Sequence, residues 1–286
     1  MRIIHFSDLH VWRPGLETGD LWYPKRMLGY VNLALRRKFK YPPGLGRAVV
    51  DEIARSDADA VVFTGDMTTA SLLGEFEDAA DLFSPLLEKW EDRFVVLPGN
   101  HDRYTPYTIS RKFYECLFAD RGPVTRTDVG GHWSIVSFDA SRPYMVRSNG
   151  MISLALAAHL AQILREVADA GRTCVLAGHF PYDHPRGCRE GLQHRLLGAR
   201  RLIEVINEFK PPVYLHGHKH VRWVFQSPKT PDTVCINSGS AGLKSEDPLK
   251  RAGFVTIDLD DKGALQGVLA CSARRDEEKF ETVALC

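Results

Sequence analysis

The chain lacks any run of about 18 uninterrupted apolar residues, so no segment reads as a membrane-crossing helix. It also has almost no net charge, +1 from 37 Lys and Arg set against 36 Asp and Glu in 286 residues. That balance argues against a general nucleic-acid binder, whose affinity comes from neutralising phosphates, and no nucleic-acid partner is expected. The six cysteines, Cys116, Cys174, Cys188, Cys235, Cys271 and Cys286, form no C-x-x-C pair. Several sit in apolar runs such as 173–176, where a free thiol behaves as a small hydrophobe. A disulfide scaffold is excluded, and a reducing compartment is expected. Residues 1–8 lack the apolar stretch of a secretory signal and run straight into Asp8, so the expected location is cytoplasmic.

What the chain does contain is a rhythm. Short β-branched or apolar runs at 3–6, 60–63, 94–97, 174–177 and 213–215 predict buried strands. Helical spacing fills the intervals at 45–54, 76–90, 152–168 and 196–209. Strand, loop, helix, strand is the pattern of an α/β fold. Towards the end, runs at 222–226, 233–237, 254–259 and 265–270 follow one another without helices, and 260–263 reads as a hairpin turn. A second, more antiparallel sheet is expected there. No internal repeat or low-complexity linker appears, so residues 1–286 are expected to form one domain.

One segment departs from this rhythm. Residues 21–50 hold no acidic side chain but seven basic ones, Lys25, Arg26, Arg36, Arg37, Lys38, Lys40 and Arg47. Leu28, Val31, Leu35 and Phe39 repeat at helical spacing, with Trp22, Tyr23, Tyr30 and Tyr41 interleaved. A basic amphipathic helix over 26–39 with aromatic flanks is the profile of an element lying on an anionic membrane, here through 21–41. The alternative is an insertion that packs on the domain and keeps its charges in water.

Five polar clusters stand at the ends of predicted strands: Asp8-Leu9-His10, Gly65-Asp66, Gly99-Asn100-His101-Asp102, Gly178-His179 and Gly217-His218-Lys219-His220. In open α/β sheets the loops at the carboxyl ends of strands converge on one crevice, so the five can meet. Carboxylate, imidazole and amide oxygen suit a hard to borderline divalent metal such as Mn, Fe(II) or Zn. Seven ligands are too many for one tetrahedral ion. They suit two ions sharing a bridge, and Asp66, at the end of an apolar strand, is the natural bridging carboxylate. The glycines at 65, 99, 178 and 217 are expected to free the backbone to turn behind each ligand. His5, His132, His159, His184 and His194 belong to no cluster and read as structural. His216 shares strand parity with His218 and His220 and carries a supporting role as its alternative.

The ordered set D-x-H, G-D, G-N-H-D, G-H and G-H-x-H resembles the calcineurin-like metallophosphoesterases, from residue 3 to about residue 239. The resemblance implies a four-layered αββα sandwich of two mixed sheets flanked by helices, and a dinuclear centre. It implies Asp8, His10 and His220 on one metal, Asn100, His179 and His218 on the other, and Asp66 bridging. It further implies two divalent ions, Mn first with Fe or Zn as alternatives, and a metal-bridged hydroxide that attacks phosphorus in line. His101 would assist the leaving oxygen, with Asp102 orienting it.

The family leaves the substrate open. The basic aromatic segment follows Asp8-Leu9-His10 closely and so belongs at the rim of the crevice. A rim that touches a membrane favours a lipid-linked phosphoester or pyrophosphate, such as UDP-2,3-diacylglucosamine of lipid A biosynthesis, with the protein peripheral on the inner membrane. The run at 25–32 is similar to a cap segment in the chlamydial type of that hydrolase, whereas the proteobacterial type typically has Arg where this chain has His101. The alternatives are a soluble cyclic-nucleotide phosphodiesterase, with 21–50 a lid or interface, a nuclease, or an inactive scaffold. The intact ligand set argues against the last. Nothing in the sequence specifies an oligomeric state.

Overall fold

Strict alternation along the strands builds the molecule in layers. In the computed structural model, which describes residues 1–14, 38–118, 122–144, 147–188, 190–261, 263–274 and 279–286, one sheet has the order β14-β13-β12-β1-β2-β3. Its strands are β1 (Arg2–Phe6), β2 (Ala60–Phe63), β3 (Phe94–Val96), β12 (Gly253–Leu259), β13 (Leu265–Ala273) and β14 (Phe280–Ala284). The other sheet has the order β10-β11-β9-β7-β5-β4. It comprises β4 (Val124–Val129), β5 (Trp133–Phe138), β7 (Thr173–Ala177), β9 (Val213–His216), β10 (Arg222–Gln226) and β11 (Val234–Ser238). A two-residue pair, β6 (Gly150–Met151) and β8 (Leu196–Leu197), stands apart.

Neighbouring residues on a strand serve different cores because successive side chains point to opposite faces. Ile3, Val62, Ile135, Val175 and Leu215 fill the space between the sheets. Their neighbours Ile4, Val61 and Phe63 face helices α1 (Pro43–Arg55) and α2 (Leu73–Trp90) on one outer side. Val136, Leu176 and Tyr214 face α5 (Leu154–Asp169) and α6 (Ala199–Phe209) on the other. Two short helices, α3 (Pro106–Ser110) and α4 (Phe113–Phe118), complete the set. The result is the expected four layers.

The helices form where apolar spacing and end chemistry agree. In α5, Ser153 Oγ accepts the Leu156 N–H at the start, and Leu156, Leu160, Leu164 and Val167 make one buried stripe. Helix α2 carries Pro85 inside it, a residue that costs a helix interior about 3 kcal/mol. It buries Phe76, Ala79, Leu82, Phe83, Leu86 and Trp90, and at roughly 1.5–3 kcal/mol for each large side chain that burial outweighs the proline.

The predicted strands and helices are present with shifted ends, and three features differ. The closing strands do not form a sheet of their own: β10 and β11 join the second sheet, while β12 extends the first by antiparallel pairing with β1 and β13 pairs in turn with β12. A strand is placed by whichever edge it can pair with, which sequence spacing does not reveal. The hairpin β4–β5, turning at Gly130-Gly131, and strand β14 lie in stretches that the periodicity passed over. The predicted helix at 196–209 starts only at Ala199, because Leu196 and Leu197 pair with β6. Most of the basic segment, including the expected helix over 26–39 up to residue 37, lies outside the described residues; Lys38–Lys40 form a single helical turn. No described helix is long and apolar enough to cross a membrane.

Glu75, in the first turn of α2, is fully buried and its Oε2 accepts the N–H groups of Ala70 (2.8 Å) and Leu72 (3.2 Å). Burial lifts its pKa from the ordinary 4.5 to about 7, the amide donors notwithstanding. The folded chain therefore holds this proton more tightly than the unfolded one. Stability from Glu75 is present below pH 4.5 and is lost as pH rises towards 7. Urea denaturation across that window is expected to show stability falling with pH by an amount on the order of 3 kcal/mol, and Glu75→Gln is expected to flatten that slope. An unchanged slope in the variant would show that another group carries it.

Candidate metal centre

The carboxyl ends of parallel strands from both sheets point to one end of the sandwich. From the first sheet, β1 delivers Asp8 and His10, β2 delivers Asp66, and β3 leads to residues 99–102; from the second, β7 delivers His179 and β9 delivers His218 and His220. All seven expected ligands therefore meet, although they are spread over more than two hundred residues of chain.

The backbone is bent hard to bring them there. Asp8, His10, Asp66, His218 and His220 all have φ between +52° and +72°, the left-handed region that costs a residue with a side chain about 1–2 kcal/mol. Neighbouring loops hold these bends, with Asp8 N–H donating to the Gly65 carbonyl (2.9 Å) and His10 N–H to the Asp66 carbonyl (3.0 Å). Of the four motif glycines, only Gly65 has positive φ, +95°. The other three serve close approach instead of turning. A Cβ on Gly99 would stand 2.1 Å from Asp66 Oδ1, and one on Gly217 would stand 1.8 Å from Ser7 Oγ.

The side chains form two adjoining groups, Asp8 with His10 and His220, and Asp66 with His179 and His218. Asp8 Oδ1 lies 3.0 Å from His220 Nε2 and 3.8 Å from His10 Nε2. In the second group, Asp66 Oδ2 lies 3.4 Å from His179 Nε2, whose other neighbour is Asn100 Oδ1 at 3.2 Å. Asp66 Oδ2 is also 4.0 Å from His10 Nε2, so this one oxygen faces both groups. Asp8, His10, Asp66, Asn100 and His179 are all buried.

The electrostatics call for positive charge. Burial opposes ionisation of Asp66, yet His179, His101 and His10 hold its carboxyl well below the ordinary range. Burial likewise opposes charge on His179, but Asp66 and Asp8 overcome it and raise the imidazolium to about 9. Buried Asp8 Oδ1 receives no hydrogen bond of good geometry. A carboxylate oxygen left in that state is costly unless a cation meets it. The donor set of carboxylates, imidazoles and one amide oxygen, without thiolate, fits hard to borderline divalent ions.

His101 Nδ1 is hydrogen-bonded to the Thr69 carbonyl at 2.6 Å, and its ring stands edge-on to His10 with centroids 4.9 Å apart. A ring donor of His101 lies within 4.8 Å of those of His10 and Asp66. Asp102 does not orient this ring as expected. Its Oδ2 accepts the N–H groups of Asp66 (2.8 Å), Met67 (3.2 Å) and Gly99 (2.9 Å), and its Oδ1 accepts Thr68 N–H (2.9 Å) and Oγ1 (2.8 Å). The loop after β3 turns the carboxylate inward, where it ties two ligand-bearing loops together. Arg103 is likewise turned away from the site, paired with Asp139 (3.1 Å) and Glu115.

His216 packs behind the centre, stacked on Tyr214 with its Nδ1 near Asn237 (3.3 Å), and burial lowers it to about 3. Side chains outside the motifs complete the surroundings. Ser7 Oγ donates to Asp8 Oδ2 at 2.6 Å, Tyr41 reaches His220, and Glu190 Oε1 lies 3.2 Å from His218 Nε2. The histidines and Lys219 near Glu190 hold its carboxyl down at about 2 against the effect of burial. The serine adjoins a motif and was open to suspicion; Tyr41 and Glu190 carry no signal in sequence because each stands alone in its stretch of chain.

The profile described as calcineurin-like phosphoesterase matches residues 1–222. The chain belongs to this family. Membership makes it a metal-dependent phosphohydrolase, implies two divalent ions, and accounts for the paired clusters of Asp and His. No curated protein sequence matches the chain. Among solved structures, it is similar in fold to a dimetal phosphatase from Danio rerio, at 14% identity and a TM-score of 0.60, with 100% of this chain and 99% of that chain covered. It is also similar to PhoD, at 11% identity and a TM-score of 0.58, over 99% of this chain and 68% of that one. A third likeness is to GAP50, the anchor in the inner membrane complex of Plasmodium, at 12% identity and a TM-score of 0.53, over 100% and 88%.

In this phosphoesterase the Asp102 knot has a measurable consequence. Asp102→Ala would leave four buried N–H groups without their acceptor, each worth about 1–3 kcal/mol. Allowing for water entry, a stability loss of about 3–5 kcal/mol is expected in urea denaturation. A loss under about 1 kcal/mol would show that the carboxylate does not hold the loops.

Proposed function

We propose that the chain hydrolyses a phosphoester or pyrophosphate with Asp8, His10 and His220 holding one divalent ion, Asn100, His179 and His218 the other, and Asp66 shared. The observation that carries this reading is the single Asp66 oxygen facing both groups, at 3.4 Å from His179 and 4.0 Å from His10. Two divalent ions held by these residues would supply Lewis acidity towards phosphoryl oxygens, a lowered pKa for water and charge to offset what builds up during displacement. The remaining work belongs to side chains. With its Nδ1–H donated to the Thr69 carbonyl, His101 acts as an acid only as the imidazolium, whose second proton sits on Nε2. That proton is positioned for the oxygen leaving phosphorus, a general-acid contribution of about 10²–10⁴ in rate.

For the substrate, we favour an amphiphilic phosphoester delivered from an anionic surface. Phe39 is 68% exposed between Lys38 and Lys40, and the next residue, Tyr41, touches His220. An exposed aromatic between two cations, two residues from a side chain that touches a ligand, suits a headgroup surface better than bulk water. Beside His10 lies a cavity of about 370 Å³ lined by Leu9, Trp12, Tyr41, Pro42 and Leu82, with Arg47, Asp78 and Asp81 also on its walls. Its apolar side offers room for part of an acyl chain. A lipid nucleotide diphosphate such as UDP-2,3-diacylglucosamine combines these features.

Asp66→Ala is expected to lose bound metal and activity together, whereas His101→Ala keeps its metal and loses about 10²–10⁴ in kcat. Metal analysis of the purified variants checks both, and unchanged metal content in Asp66→Ala would sink the shared-ligand assignment. For the substrate, Mn-supplemented hydrolysis of UDP-2,3-diacylglucosamine in detergent micelles is compared with cyclic AMP, using His101→Ala as the blank. Cleavage of the lipid nucleotide alone is expected; cleavage of cyclic AMP alone would make the molecule a soluble phosphodiesterase. The triple variant Lys38→Glu, Phe39→Ala, Lys40→Glu is expected to lose sedimentation with anionic liposomes, and full retention would remove the surface reading.

A further inference from the structure

Every motif histidine has one ring nitrogen held by an oxygen, and the oxygens differ in kind. His10 Nδ1 meets the Thr68 carbonyl (3.3 Å), His179 Nδ1 the Thr64 carbonyl (2.7 Å), His101 Nδ1 the Thr69 carbonyl (2.6 Å) and His218 Nε2 the His194 carbonyl (2.9 Å). His220 Nδ1 instead meets a side chain, the Tyr41 hydroxyl, at 2.8 Å. The carbonyls come with the backbone of the ligand loops. Tyr41 comes with the distal end of the basic segment.

Packing cannot substitute for that hydroxyl. The His10 and His179 side chains are 0% exposed, but that of His220 is 25% exposed, so its ring has room to turn. Tyr41 is itself buried, edge-on to His10 with centroids 4.8 Å apart. Its carbonyl accepts Trp12 Nε1–H at 2.8 Å, and the preceding Lys40 carbonyl accepts Lys244 N–H at 2.8 Å. Trp12 and Tyr41 are thus tied to each other beside the metal centre.

We propose that Tyr41 is the positioning residue for His220 and sets the affinity of one metal position, the one shared with Asp8 and His10. This rests on the ligand assignment under Proposed function. The hydroxyl oxygen accepts the Nδ1 proton and holds the imidazole in a single tautomer. Its unprotonated Nε2 is then aimed at the point between Asp8 Oδ1 (3.0 Å) and His10 Nε2 (3.2 Å). Without that acceptor the neutral ring divides between two tautomers and rotates, and only part of the population presents a lone pair. Outer partners of metal-bound histidines contribute 10–100-fold in metal affinity. The far position, braced by the Thr64 and His194 carbonyls, does not depend on Tyr41.

The test is a calorimetric titration of Mn(II) into the metal-free full chain, as wild type, Tyr41→Phe and His220→Ala. Wild type is expected to take up two ions. Tyr41→Phe keeps the ring against His10, and is expected to weaken one of the two events about 10–100-fold and leave the other within about twofold. His220→Ala identifies the affected event by weakening the same one. Nitrogen-15 spectra of the His220 ring in the Zn(II)-loaded chain are expected to show a hydrogen-bonded Nδ1–H in wild type and a signal shifted to that of an unbonded N–H in Tyr41→Phe, a change that lost packing alone would not produce. Wild-type affinities for both ions in Tyr41→Phe, equal weakening of both, or an unshifted Nδ1–H signal in Tyr41→Phe would each overturn the proposal. Failure of wild type to take up Mn would instead overturn the ligand assignment on which it rests.

Discussion

Two carboxylates buried beyond the reach of water, Asp8 and Asp66, set the terms for the rest of the molecule. Neither can be ionised there without positive charge close by, and the surrounding histidines supply only a provisional answer by holding protons. A pair of divalent cations answers the same demand more fully. The bent backbone at five ligand residues belongs to this balance, since strain of that kind persists only where surrounding structure over-determines it. Here the over-determination comes from loop-to-loop hydrogen bonds and from the Asp102 carboxylate gathering amide protons from two loops.

The sandwich is what makes such a site affordable to build. Each sheet contributes parallel strands whose carboxyl ends face the same way, so ligands from both can meet at one end without any strand being interrupted. The sheets are held face to face by Ile3, Val62, Val175, Leu215 and their neighbours, and helices cover both outer faces. Close approach at the top is limited by sterics more than by chain direction. Gly99 and Gly217 are glycines because Asp66 and Ser7 occupy the space a side chain would need.

Around this rigid centre the outer contacts divide into two kinds. Carbonyls of the ligand loops and of residue 194 brace four of the histidines, while a tyrosine from the end of the basic segment braces the fifth. The same segment carries an exposed phenylalanine between lysines two residues from that tyrosine. Surface chemistry and metal geometry are thus joined through a few covalent bonds. The exposed ring of Phe39 and the hydroxyl that meets His220 are features of one short stretch of chain.

Much of this was legible in sequence, for a physical reason. Short apolar, β-branched runs such as Ile3-Ile4-His5-Phe6 mark buried strands, and metal chemistry restricts the residue types that can occupy a ligand position, so Asp8 through His220 stood out as a set. The α/β class and its four layers followed from the order of elements and the family resemblance. Tertiary structure alone decided which sheet received the last strands, because pairing depends on free edges and not on local pattern. It also turned Asp102 inward, reduced the turning glycines to one and brought Tyr41 and Glu190 to the ligands. A carboxylate or hydroxyl has the same letter whether it meets a backbone amide, an imidazole or water. Its role is set by what lies within 3 Å or so, and only the folded chain determines that.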